Sequence, residues 1–354
     1  MCRTIHLSKF VHYENWQQLK LSDYNKILII RLSSLGDILL TTPMIRSIQR
    51  QFPEKKIHFL LRSEYESVLL NNHFLEKLFL FTRSDEENKK LMKELRKEKY
   101  DLIIDLQNNI RSTLVCRKLM VKTVKFNKRD TAKFLLVKFK INLLKKAPQM
   151  PVRYAQLFED VQLDDGGLGL ITLNAPSPLF DANKKYIGFA PGSRHFTKMW
   201  PQDYYIQLGK MLNDEGYTIA LFGGKDDRLI CAEISTKIDS IDLSNKNDLM
   251  QTTADMKNCI GIVCNDSGMM HTACAADVKV LAIFGSTVKE FGFTPYTGKE
   301  SGLLTKYLVL ENKSLSCRPC THIGRDKCPK THFKCMLEIT PQLVYNNFNL
   351  LLNS

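Results

Sequence analysis

The stretch RLSSLGDILLTTP, residues 31–43, follows the apolar run KILII and sets an acid, Asp37, at a strand-to-helix turn. Turns of this kind place ligands, and phosphate-binding loops fill them with glycines and hydroxyls rather than carboxylates. A carboxylate has another use there. Held within ~3 Å of an alcohol, it can take the proton as that alcohol attacks an electrophile. The plainer role for the same side chain is to cap the following helix.

Three more strand-end turns lie in the second half. In FAPGSRHFTKMWP, residues 189–201, Gly192 frees backbone N–H groups, and Ser193, Thr197 and the ammonium of Lys198 could hold a pyrophosphate. A plain polar loop would look the same. In CNDSGMMHTACAA, residues 264–276, Ser267 and Gly268 would cap a helix whose N-terminus suits an anion, with Asp266 and His271 nearby. Asp266 could equally be a cap, and His271 a satisfied helix histidine. In LFGGKDDR, residues 221–228, Asp226 and Asp227 could accept two ribose hydroxyls or cap a helix. No G-x-G-x-x-G follows any strand and no G-x-x-x-x-G-K-[ST] occurs, which disfavours a dinucleotide dehydrogenase and a P-loop ATPase. A nucleotide held as a donor fits better.

The elements that would position these turns alternate along the chain. Strands are expected at 26–32, 56–61, 77–81, 101–106 and 123–126, with helices at 43–52, 85–99, 110–120 and 130–146. The stretch 164–185, rich in Gly, Pro, Asn and Asp, reads as a connection between domains. The pattern then restarts with strands at 186–190, 217–222, 261–264 and 279–284, and helices at 201–215, 226–238, 247–257 and 267–276. Short apolar strands alternating with amphipathic helices make a parallel sheet covered on both faces. The expectation is an α/β protein of two doubly wound domains facing a cleft. Its parts are an N-terminal extension (1–24), a first domain (25–165), a linker (166–185), a second domain (186–338) and a closing helix (339–354), capped by Thr340 with Pro341 in its first turn.

Charge separates the halves. Residues 1–150 hold 30 Lys and Arg against 15 Asp and Glu, whereas residues 151–354 hold 21 against 22. The first half is thus expected to meet something anionic: nucleic acid, an acidic lipid surface or a phosphorylated substrate. A solvated basic surface is the bland alternative. No window offers the ~18 apolar residues of a membrane span, and residues 1–16 lack the apolar core of a secretory signal, so a cytosolic protein is expected.

Of the ten cysteines, Cys2, Cys116, Cys231, Cys259, Cys264 and Cys274 are scattered singly and are expected as small buried hydrophobes. The other four form C-x2-C-x7-C-x6-C within CRPCTHIGRDKCPKTHFKC, residues 317–335. Cys317, Cys320, Cys328 and Cys335 could hold a structural zinc. Reduced thiols without metal, disulfides, and a zinc-containing nucleic-acid module are the competing readings.

The segments ILIIRLSSLGDILLTTPMIRSIQRQFPEKKIHFL, IGFAPGSRHFTKMWP, LFGG and NDSGMMHTACAADVKVLAIFGST together resemble glycosyltransferase family 9, the ADP-heptose:lipopolysaccharide heptosyltransferases, from about residue 26 to 337. The resemblance implies a GT-B fold of two Rossmann-like domains, acceptor on the first and sugar nucleotide on the second. It implies inverting transfer of heptose from ADP-heptose to an anionic, Kdo-bearing lipid at the inner face of the cytoplasmic membrane. No cofactor is required for catalysis, and no nucleic-acid partner is expected. Asp37 takes the place of the general base and Lys198 that of the cation on the leaving diphosphate. Gly192, Ser193, Arg194, Asp227, Asp266, Ser267, Gly268 and His271 fall on the donor side; Ser34, Arg111, Lys125, Lys128 and Arg129 fall on the acceptor side. A hexosyltransferase of the same fold acting on another envelope glycan is the alternative.

Overall fold

A computed structural model of the protein describes residues 19–245, 248–298 and 306–354. The first domain alternates β1 (Lys26–Ile30), α1 (Leu35–Leu39), α2 (Thr42–Gln51), β2 (Lys56–Arg62), β3 (Lys77–Phe81), α3 (Asp85–Lys97), β4 (Leu102–Asp105), α4 (Ile110–Leu119), β5 (Thr123–Lys125), α5 (Asp130–Phe139) and α6 (Met150–Ala155). The second runs β6 (Lys185–Ala190), α7 (Gln202–Asp214), β7 (Tyr217–Leu221), α8 (Arg228–Ser235), β8 (Ser240–Asp242), α9 (Leu249–Lys257), β9 (Cys259–Asn265), α10 (Gly268–Ala275), β10 (Lys279–Phe284), β11 (Tyr307–Glu311), α11 (Lys334–Leu337) and α12 (Pro341–Asn353).

Every strand pairing within the two sheets is parallel, in the orders β3-β2-β1-β4-β5 and β11-β10-β9-β6-β7-β8. Central strands buried on both faces explain the unbroken apolar runs: Ile27, Leu28, Ile29 and Ile30 are all fully buried. Strand order reverses beside β1 in the first sheet and between β6 and β9 in the second. A crevice opens at such a reversal, outside the carboxyl ends of the strands. The turns carrying Asp37, Lys198 and Asp266 follow β1, β6 and β9 respectively, so topology delivers all three to crevices.

Two expectations need correction. The helix expected over 130–146 stops at Phe139, because Lys140 turns left-handed (φ 60°) and its N–H closes back on Leu135 and Leu136. The start of the expected linker is anchored. Leu168 and Leu170 are buried, Arg46 of α2 grips Asp164 and the Gly167 carbonyl, and Thr42 accepts the Gly169 N–H. The N-terminal extension falls outside the described residues up to residue 18. Leu21 and Ser22 are already part of the first domain, their N–H groups donated to Asp160. Asn247, the expected start of the helix over 247–257, also lies outside the described residues. The edge strands β8 and β11 and the short helices α6 and α11 complete the architecture. α12 is capped by Thr340 and packs Val344, Phe348 and Leu351 into the second domain's core.

Candidate active site

Asp37 sits in the first turn of α1, where Ser34 is the N-cap. Its Oδ2 accepts the Ser34 N–H at 3.0 Å and the Ser34 hydroxyl at 2.8 Å; its Oδ1 lies 2.5 Å from Arg31 Nη2. Burial alone would raise the carboxyl's pKa. The Arg31 guanidinium and the Ser34 N–H outweigh that and hold it below the ordinary carboxylate range. Asp37 is therefore both cap and ionised carboxylate, still about 19% exposed to the cleft.

The opposing wall comes from the second domain. Lys198 Nζ lies 2.7 Å from Asp266 Oδ2, which also accepts the Thr287 hydroxyl at 2.6 Å. Asn265, fully buried, fixes the two loops against each other: its Oδ1 accepts the Trp200 N–H and its Nδ2 donates to the Pro191 carbonyl. Sequence reasoning missed Arg31, Thr287 and Asn265. Asn265 stood one residue before a chosen Asp, and only the parallel pairing of β6 with β9 gives it partners 65 and 74 residues away.

α10 begins beside Asp266 with Ser267 as N-cap, its first-turn N–H groups lacking helical partners. Ser267 Oγ and His271 Nδ1 are buried without any hydrogen-bond partner. Two orphaned polar atoms beside a helix N-terminus make a wall prepared for an anionic ligand. Burial, only partly offset by Asp266 and Asp37, pushes His271 down to about 4. The unfolded chain protonates this histidine near 6.5. The folded state binds fewer protons between those values, so stability falls as pH drops from about 6.5 to about 4, by ~3 kcal/mol from this residue. Denaturant titrations across that range should show a shallower slope in His271→Gln.

α1 and α10 meet directly across the cleft through glycines. A Cβ on Gly36 would come 2.5 Å from His271 Cδ2, and one on Gly268 would come 3.0 Å from Leu35 Cδ2. Gly36→Ala should thus force the two helices apart, costing about 1–3 kcal/mol and about 100-fold in turnover. Thermal melts and initial rates check both.

A cleft of about 770 Å³ joins these walls, lined by Arg31, Ser34, Asp37, Lys128, Ser193, Arg194, Lys198, Asp266, Ser267, Gly268 and His271, together with Lys133 and His322. Other predicted residues lie elsewhere. Thr197, read as a pyrophosphate ligand, is 1% exposed, its hydroxyl shared with Ser286 and the Arg325 N–H. Asp227 and Gly192 are together but outside the lining: a Cβ on Gly192 would overlap the Asp227 carboxylate, which accepts the Gly224 N–H at 2.9 Å. Burial raises the Asp227 pKa. Arg111 opens instead onto a second basin with Arg62 and Arg83, at the same edge of the first sheet. Lys125 turns to Thr113, and Arg129 caps α5 without reaching the cleft.

The described scattered cysteines, Cys116, Cys231, Cys259, Cys264 and Cys274, are buried free thiols, as expected. Cys2 lies outside the described residues. Cys317, Cys320, Cys328 and Cys335 are free as well. Cys317 Sγ approaches His332 Nε2 at 3.8 Å, but among the described residues no three His, Cys, Asp or Glu side chains converge as metal ligands would. The loop's local structure comes from Arg318, which donates to the carbonyls of Gly285 and Thr287 and pairs with Glu311.

The family model for glycosyltransferase family 9 (heptosyltransferase) matches residues 88–322. Lipooligosaccharide heptosyltransferase 2 of Haemophilus influenzae is 25% identical over 362 residues, spanning 92% of this chain and 99% of that protein. Lipopolysaccharide heptosyltransferase 2 of Escherichia coli is also 25% identical over 362 residues, spanning 92% and 98%. Among solved structures, E. coli ADP-heptose LPS heptosyltransferase II matches with a TM-score of 0.69 at 24% identity, covering 92% of this chain and 98% of that one. E. coli heptosyltransferase WaaC with ADP matches with 0.68 at 19%, covering 92% and 99%. Both share the two-domain GT-B architecture described above.

Proposed function

This chain belongs to glycosyltransferase family 9, and we propose that it transfers heptose from ADP-heptose to the inner core of a lipopolysaccharide precursor, with Asp37 as the general base. The observation that carries this reading is the convergence of Asp37 from one domain with Lys198, Asp266 and the N-terminus of α10 from the other, in a single cleft. Its relatives bear heptosyltransferase names over nearly their whole length.

The acceptor hydroxyl attacks the anomeric carbon, the bond to the diphosphate breaks on the opposite face, and the anomeric centre inverts. The hydroxyl proton passes to Asp37, and the diphosphate departs with the charge. A carboxylate held below its usual pKa by Arg31 is a weak base toward a free alcohol. It suffices here, because the attacking oxygen becomes strongly acidic as its bond to carbon forms. Lys198 and the first-turn N–H groups of α10 meet the charge growing on the leaving group. Ser193 and the orphaned Ser267 hydroxyl can add hydrogen bonds to the diphosphate. Asp266, fixed by Lys198 and Thr287, is placed to accept sugar hydroxyls.

Lys128 lines the acceptor side of the cleft. The lysine-rich first half supplies the field for an anionic acceptor, arriving at the inner face of the cytoplasmic membrane. Transfer to Kdo-bearing lipid A acceptors with and without a first heptose, followed by mass spectrometry, tests the reaction. ADP-hexoses run in parallel decide between heptose and hexose. ADP at one hundred times its dissociation constant should stabilise the protein by about 2.7 kcal/mol; an unchanged melting temperature would refute a donor site for this nucleotide.

A further inference from the structure

The segment Asp130–Lys146 presents apolar side chains to solvent. Phe134 and Phe139 are each 57% exposed, Ile141 is 50% exposed and Leu143 57%. The two phenylalanine rings pack edge to face with centroids 5.9 Å apart, so they form one patch rather than separate contacts. The segment holds five lysines against one acid, Asp130. Lys138, Lys145 and Lys146 are exposed among the apolar residues. Large apolar side chains laced with lysine make a surface suited to the boundary between acyl chains and anionic headgroups.

The patch is rigidly mounted. Leu136 and Leu144 point inward against Val288 and Phe291 of the second domain, and Lys140 donates to the Pro319 carbonyl at 2.6 Å and the Cys317 carbonyl at 3.0 Å. It also borders the cleft, because Phe134 and Val137 line both.

We propose that the basic, aromatic surface over Asp130–Lys146 docks on an anionic phospholipid bilayer and opens the cleft toward the membrane. This rests on the reading of a lipid-borne acceptor: a surface beside Lys128 and Asp37 that sits in the headgroup layer lets the acceptor's sugar enter while its acyl chains stay in the bilayer. The positive charge favours a bilayer over a second copy of the chain, since two such faces would repel.

Co-sedimentation of the full chain with vesicles tests this without donor or acceptor. Vesicles of phosphatidylglycerol in phosphatidylcholine should bind it, phosphatidylcholine alone should not, and salt should release it. Lys138→Gln/Lys145→Gln/Lys146→Gln changes only exposed positions and should weaken binding roughly 100-fold, at about fivefold per lysine. Phe139→Ser/Leu143→Ser should weaken binding to the same vesicles and leave transfer to a delipidated, water-soluble acceptor unchanged.

No preference for anionic vesicles, or full binding by the triple lysine variant, overturns the proposal. So does a concentration-dependent dimer that Phe139→Ser/Leu143→Ser abolishes. Vesicle binding by a protein that transfers no heptose would sink the proposed reaction and leave the docking surface standing; transfer without vesicle binding would do the reverse.

Discussion

Replacing Asp37 by asparagine will lower transfer by about three orders of magnitude while leaving ADP affinity within about twofold of wild type. Proton acceptance is lost, while Asp37's hydrogen bonds and ion pair run to Ser34 and Arg31 rather than to Lys198, Asp266 or Ser267. Asparagine keeps an oxygen for the Ser34 N–H and hydroxyl, so the capping arrangement of α1 survives. Alanine would be a poorer probe. It would remove the acceptor for Ser34 as well, whereas both replacements leave the nearly buried Arg31 without the Asp37 carboxylate. Single-turnover rates and isothermal titration with ADP separate the two effects; equal loss of rate and ADP affinity would refute the assignment. The acid limb of the wild-type rate profile should lie below pH ~4, because Arg31 and Ser34 keep the carboxylate ionised under the ordinary Asp value.

Lys198→Ala is expected to fail in two ways at once. The leaving diphosphate loses its cation, lowering kcat about 100- to 1,000-fold. The empty protein is also destabilised by about 3 kcal/mol, because Asp266, only 9% exposed, is left with the Thr287 hydroxyl alone. A double variant distinguishes these. Lys198→Met/Asp266→Asn removes both charges and should recover most of the stability without recovering the rate, a coupling read directly from the cycle. Full stability in Lys198→Ala would show that the pair is not held in the free protein.

Much of the architecture follows from pattern alone. Central strands such as KILII are apolar on both faces because helices cover both, and that pattern marks a parallel sheet. Once each sheet is parallel, its strand-end turns fall on one rim, which is why Lys198, Asp266, Ser267, Gly268 and His271 could be assigned together on the second sheet, with Asp37 on the rim of the first. The edges were less legible. β8 has only three residues, and β11, YLVLE, is a five-residue run the sequence pattern left unassigned.

Side-chain direction was the other loss. Thr197 and Ser193 are four residues apart and chemically alike, yet one hydroxyl is consumed by Ser286 and Arg325 and the other faces the cleft. Arg111 follows β4 as Asp37 follows β1, but its exposed position in the first turn of α4 leads to the basin of Arg62 and Arg83. Long-range partners, Arg318 with Glu311 and Asn265 with Pro191, cannot be read from spacing, because sheet register sets them.

The glycine contacts between α1 and α10 act as a spacer of fixed thickness. Gly36 lies against His271, and Gly268 against Leu35, with no side chain of their own to bend or repack. The gap between the two lobes is therefore one glycine backbone against one side chain, His271 or Leu35. Any group larger than hydrogen at either glycine would widen the seam.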